Sequence, residues 1–120
     1  MRYIYRLVMV KYDVCKFNYW VTEIKMIKVL IERVLADDME STYDSEIRKS
    51  LTAIMTAKGY ISGASYRNIN NPNIRTIITN WDNVACWNRW HKSKTRREVN
   101  KAIILMLIQD EKIKVLISQS

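Results

Sequence analysis

From Met26 onward the apolar positions change period several times, and each change marks an element. In MIKVLIERVL, Ile27, Val29, Ile31 and Leu35 fall on one side of an extended chain, with Lys28, Leu30, Glu32 and Val34 on the other. Both sides are largely apolar, so this strand needs cover on both faces. In a chain this short, a second subunit is one source of that cover. The pattern then turns helical: Tyr43, Ile47, Leu51 and Ile54 make one stripe. Asp37 or Asp38 is the expected cap, with Glu40 in a capping-box relation, and Gly59 after Lys58 is the expected stop.

Tyr60 to Arg67 and Ile74 to Trp81 read as strands joined across NINNPN, where Asn and Pro favour a turn. A short helix follows from Asn83 to about His91, with Val84, Trp87 and His91 at helical spacing and Trp90 beside them. A longer helix starting near Ser93 or Thr95 aligns Val99, Ala102, Ile103 and Met106, and Ile113, Val115 and Ile117 alternate with lysines in a closing strand. The order from Met26 is β-α-β-β-α-α-β. That is an α+β, ferredoxin-like split βαβ with an antiparallel sheet and its second helix broken in two. Residues 1–25 alternate loosely and are rich in Tyr, Val and Ile, which suits an extra strand or hairpin, or a start placed too early with Met26 the true one. The expected division is thus an N-terminal extension over 1–25 and one domain over 26–120.

Composition narrows the class. At 120 residues the chain suits one core, and 48% hydrophobic with 27% charged residues is ordinary for a globular domain. The formal charge of +8 raises the question of polyanions. Lys92, Lys94, Arg96, Arg97 and Lys101 crowd one segment, while the tryptophans keep core-like helical spacing instead of forming a stacking platform beside exposed bases. A solvated basic helix face is the favoured reading over a polyanion site or a dimer contact, and no nucleic-acid partner is expected. Cys15 and Cys86 lack a CxxC pairing, so reduced thiols and a cytoplasmic location are expected. Neither a signal peptide nor a membrane-spanning run is apparent. With glycines only at Gly59 and Gly63, the chain has no P-loop or dinucleotide fingerprint, and its single histidine makes a metal site improbable.

The segment from Gly59 to Ser93, GYISGASYRNINNPNIRTIITNWDNVACWNRWHKS, joins a glycine, a strand, an Asn-Pro-Asn turn, a second strand ending in Trp81 and a short helix carrying Trp87 and Trp90. It resembles the antibiotic biosynthesis monooxygenase (ABM) domain family, whose plan residues 26–117 follow. The resemblance implies two sheets paired face to face in a dimeric α+β barrel, hence a homodimer. It also implies a pocket between sheet and helices, without metal or flavin, for a small aromatic or quinol-like ligand. A flat ring stacks well on an indole.

Within that frame Trp81 and Trp90 are expected as pocket walls, against ordinary core packing. Cofactor-free oxygenation needs a deprotonated, electron-rich substrate, so a base is sought. Glu32 is the first candidate, against a salt bridge to a neighbouring arginine; His91, the only histidine, is the second, against a surface or helix-end position. Asn100, the third substrate-binding candidate, stands where the family's haem-degrading branch carries its iron-ligating histidine. Glu32 stands where that branch has Asn, and Ile77 where the phenol-oxidising branch has Asn. The resemblance therefore implies a cofactor-independent monooxygenase whose branch signatures are altered. A non-catalytic hydrophobic-ligand or stress-related dimeric module and a haem-binding or haem-degrading relative are the alternatives.

Overall fold

The computed structural model describes residues 3–5 and 23–119. A two-stranded antiparallel ribbon pairs β1 (Tyr3–Tyr5) with β2 (Glu23–Lys25). Most of the extension over residues 1–25 lies outside the described residues. The domain proper runs β3 (Ile27–Val34), α1 (Glu40–Ile54), β4 (Tyr60–Arg67), β5 (Ile74–Trp81), α2 (Val84–His91), α3 (Lys94–Leu105) and β6 (Lys112–Ile117). This is the expected β-α-β-β-α-α-β order. The sheet is four-stranded in the order β4-β5-β3-β6, and every pair is antiparallel.

Strand parity divides the sheet. Ile27, Val29 and Ile31 of β3, with Ile77 and Trp81 of β5, join Tyr43, Ile47 and Ile54 of α1 and Ile103 of α3 in one buried core. The helices therefore cover that face. The opposite face carries Lys28, Leu30 and Glu32 beside Asn80, Ile78 and Thr76 of β5, and beside Leu116, Lys114 and Lys112 of β6. No described helix lies on it.

Three local expectations need correction. First, α1 begins at Glu40 with Met39 as its cap and no side-chain capping bond, because Asp38 takes a left-handed φ of 64° and the chain is still turning there. Asp37 instead accepts from Asn73 Nδ2 at 3.0 Å, tying this turn to the β4–β5 hairpin. Second, α1 ends at Ile54, short of Lys58; Gly59, at φ 82°, serves the turn into β4. Third, α3 turns Arg96, Asn100 and Ile103 inward, leaving Ala102 exposed and Val99 half-buried. Charged and amide groups occupy that inner face because partners await them there.

Cys86, expected as a reduced thiol, is disulfide-bonded. No described helix is long and apolar enough to cross a membrane.

Candidate functional site

The aromatic residues form a chain of contacts between sheet and helices. Trp81, at the end of β5, is wholly buried, and its indole Nε1 donates to Thr79 Oγ1 at 2.9 Å. Burying an indole leaves its N–H in need of such an acceptor, and Thr79 supplies it from the same strand face. Tyr60 meets Trp81 edge-on at 5.5 Å between centroids, and Trp87 meets it edge-on at 5.8 Å. Trp87 in turn stacks on His91 at 5.0 Å, one helical turn further along α2. Asn83 starts that helix by accepting from Cys86 N–H at 3.0 Å, which fixes the direction of both rings.

Trp90 is buried as well, to 6% exposure, but it serves a different neighbourhood. It walls an open cavity of about 240 Å³ between the turn after α1, α2, which contributes Cys86 and Arg89 as well, and the start of α3. Thr56, Lys58, Arg89, Ser93 and Thr95 share the lining. Trp81 does not reach this space, so the two tryptophans expected to wall one pocket are parted: Trp81 is sealed in the core, and Trp90 borders a cavity.

The remaining candidates are dispersed. Glu32 is exposed on the uncovered sheet face, in register with Thr76 and Lys112, with the whole sheet between it and the tryptophans. Asn100 is buried between α3 and α1, where its Oδ1 accepts from Ser50 Oγ at 3.0 Å. His91 is half-buried, and its Nδ1 is buried without a hydrogen-bond partner. Burial, then the positive charge of Arg96 and more weakly of Lys92, lowers its pKa below the ordinary 6.5, with Glu111 acting in the opposite sense. A neutral imidazole stacked on indole follows.

Four buried or partly buried charges were not among the sequence candidates. Arg33, on the core side of β3 and 2% exposed, donates from Nε to Glu111 Oε1 at 3.0 Å and from Nη1 to Tyr43 Oη at 3.1 Å. Arg96 donates from Nη2 to the other oxygen of Glu111 at 3.0 Å, and its guanidinium lies 5.9 Å from the Trp87 ring centre. Burial by itself would raise the Glu111 pKa, but Arg33 and Arg96 outweigh it and hold the carboxyl below its ordinary value. Arg75, on the core side of β5, donates to Asp44 at 2.6 Å, to Glu40 at 3.2 Å and to the Pro72 carbonyl at 2.7 Å. The signal for Arg33 and Arg75 was available as parity, since each interrupts an apolar strand face. Nothing in the sequence order indicates Glu111 as a shared acceptor.

Among the described residues, no three His, Cys, Asp or Glu side chains gather as a metal site. The cavity beside Trp90 therefore offers an aromatic wall, hydroxyls and two cations.

Residues 26–102 match the family model described as antibiotic biosynthesis monooxygenase. The chain has no match among curated proteins. Its fold is similar to that of a conserved protein from Methanosarcina mazei, at 15% identity and TM-score 0.72 over 77% of this chain and 91% of that one. It is also similar to SnoaB, a cofactor-independent oxygenase from Streptomyces nogalater, at 8% identity and TM-score 0.72 over 80% and 95%. Rv0793 from Mycobacterium tuberculosis matches at 12% identity and TM-score 0.70 over 79% and 96%.

Proposed function

Because the chain belongs to the antibiotic biosynthesis monooxygenase family, we propose that it is a cofactor-independent monooxygenase of a small aromatic or quinol-like metabolite, bound against Trp90. The observation that carries this reading is the cavity of about 240 Å³ whose lining brings Trp90 together with Lys58 and Arg89. Ordinary small-molecule pockets run from roughly 300 to 1,000 Å³, so the ligand is a compact one- or two-ring compound. In such chemistry the ring itself supplies the electrons. A naphthol-like substrate and dioxygen give the quinone and water, one oxygen atom entering the ring and the other leaving as water.

The reactive form of the substrate is the anion, and positive charge beside it favours its ionisation. Lys58 and Arg89 fill that role in this proposal, while Trp90 holds the ring. Glu32 lies beyond the sheet from this cavity, so it acts as base only on a ligand held at the uncovered face. His91 packs its ring on Trp87, and Asn100 is engaged with Ser50; neither is used here.

The uncovered sheet face is the proposed contact between two copies in a homodimer. What supports this is the apolar row Ala64, Ile78 and Leu30 across three strands, flanked by Tyr66 at 54% and Leu116 at 45% exposure. Members of the family are typically dimeric.

Oxygen uptake with a panel of naphthols and naphthohydroquinones, with products identified by mass spectrometry, tests the enzyme reading. We expect turnover that falls at least about tenfold in Trp90→Ala, equivalent to about 1.4 kcal/mol of transition-state stabilisation. A folded protein that consumes no oxygen across the panel removes it. The second reading, a non-catalytic binding module, is favoured by one observation: no carboxylate or imidazole is among the described residues that line the cavity. It predicts a ligand-dependent rise in melting temperature without oxygen uptake.

A further inference from the structure

The arginines of this domain differ in what their guanidinium groups meet. Arg33 and Arg96 share the two oxygens of Glu111, and Arg75 spans Asp44 and Glu40. Each of these places a rigid fork of donors against carboxylate, the geometry for which a guanidinium is suited. Arg89 lines the cavity beside Trp90 and has no carboxylate partner among the described residues. The other polar groups of the lining are partly committed. Thr56 Oγ1 donates to the Ala53 carbonyl at 2.7 Å. Ser93 Oγ donates to the Trp90 carbonyl at 2.7 Å while accepting from Arg96 N–H at 3.1 Å. The donors left to recognise a ligand are the Arg89 guanidinium and the Thr95 hydroxyl.

We infer that the cavity selects small aromatic acids, with the ring on the Trp90 indole and the carboxylate on the Arg89 guanidinium. The inference rests on the reading of that cavity as the substrate site and narrows its ligand from any compact ring to one bearing a carboxylate. Charge complementarity is its basis. A neutral ring would leave the guanidinium to water, whereas a carboxylate places acceptors on it beside an apolar wall. The net charge of +8, with Lys92, Lys94, Arg97 and Lys101 on the adjoining stretch of sequence, favours the approach of anions.

Calorimetric titration of the full chain with 1-naphthoate and with its neutral isostere 1-naphthamide tests this. Wild type should bind the acid roughly five- to tenfold more tightly, a modest factor because Arg89 is solvent-exposed. The ratio should shrink as salt is raised. In Arg89→Gln most of the acid preference should be lost, the remainder being the charge of Lys58 in the same lining, while Arg89→Lys, which keeps the charge but loses the fork, should retain more of it. Arg89 is exposed, so both variants should fold, and a thermal melt checks that they do. Equal affinities in wild type, or a preference undiminished in Arg89→Gln, overturns the acid specificity while the amide still reports an occupied cavity. Binding of neither probe overturns this inference and the cavity reading together.

Discussion

One face of the sheet hides its charges and the other displays them. On the helix-covered side Arg33 and Arg75 are 2% and 4% exposed, set among Ile31, Ile77 and Trp81. On the other side Lys28, Glu32, Lys112 and Lys114 stand in solvent around Leu30 and Ile78. Polarity therefore does not decide which side a residue takes; strand parity does, and burial is made tolerable afterwards by partners from other elements. Glu111 comes from the segment before β6, and Asp44 and Glu40 come from α1. The covered face is specified by long-range pairing, and the uncovered face by alternation alone.

The strongest way to break this contrast is Trp81→Ala. Removing a fully buried indole should cost about 3–5 kcal/mol, read as a shift in the denaturant midpoint; a loss under about 1 kcal/mol would mean that the covered face is not the core described. Next comes Glu111→Gln, which leaves two guanidinium groups without their shared anion and should cost about 3 kcal/mol. Its pH dependence sharpens the point. The folded carboxyl titrates below its ordinary value of 4.5, so the unfolded chain takes up the proton first as pH falls. Wild-type stability should be complete above about pH 4.5 and decline as pH drops through the folded value, and Glu111→Gln should flatten that decline.

On the uncovered face Leu30→Lys should change monomer stability by no more than about 0.5 kcal/mol. If that face joins two copies, the same substitution should move the particle in sedimentation from twice the 14.3 kDa chain mass to the chain mass. An unchanged mass would detach the dimer from this surface. The smallest effect is expected at His91. Its pKa in the fold is lowered, so stability should fall as pH drops from 6.5 toward the folded value. Melts at pH 7.5 and 5.5 should show wild type losing about a degree or two more than His91→Gln.

Much of the fold was legible because periodicity and turn chemistry agreed. The two strands of the hairpin, Tyr60–Arg67 and Ile74–Trp81, have the expected bounds. Asn83 and Ser93 cap α2 and α3 with their side chains at the start of the expected helices. The start of α1 was misplaced because two aspartates in a row suggest a cap, while the backbone uses Asp38 for a left-handed turn and Asp37 for the hairpin. The inward face of α3 departs from the apolar spacing through Val99 and Ala102 because Arg96 finds Glu111 and Asn100 finds Ser50.

Of the two tryptophans singled out in the sequence, Trp90 lines the cavity and Trp81 is sealed in the core. Trp90 and Arg89 are neighbours in sequence, yet the cavity they share is lined on another side by Thr56 and Lys58 from the turn after α1. No local pattern brings those residues together. Glu32 shows the reverse: its parity already set it opposite Ile31 and Val29, and the helices covered the side it does not face.

The last strand bears on where this domain can be cut. The family match closes at residue 102, whereas β6 at Lys112–Ile117 hydrogen-bonds along β3, the strand between β5 and β6. A fragment trimmed to the matched span would leave β3 as a bare sheet edge inviting chain-to-chain pairing. It would also lose Glu111 and strand Arg33 among aliphatic side chains with only Tyr43 to receive its donors. The stretch from 103 to 117 is therefore the clasp of the domain, and expression boundaries or protease nicks that remove it should yield aggregate in place of a smaller soluble unit.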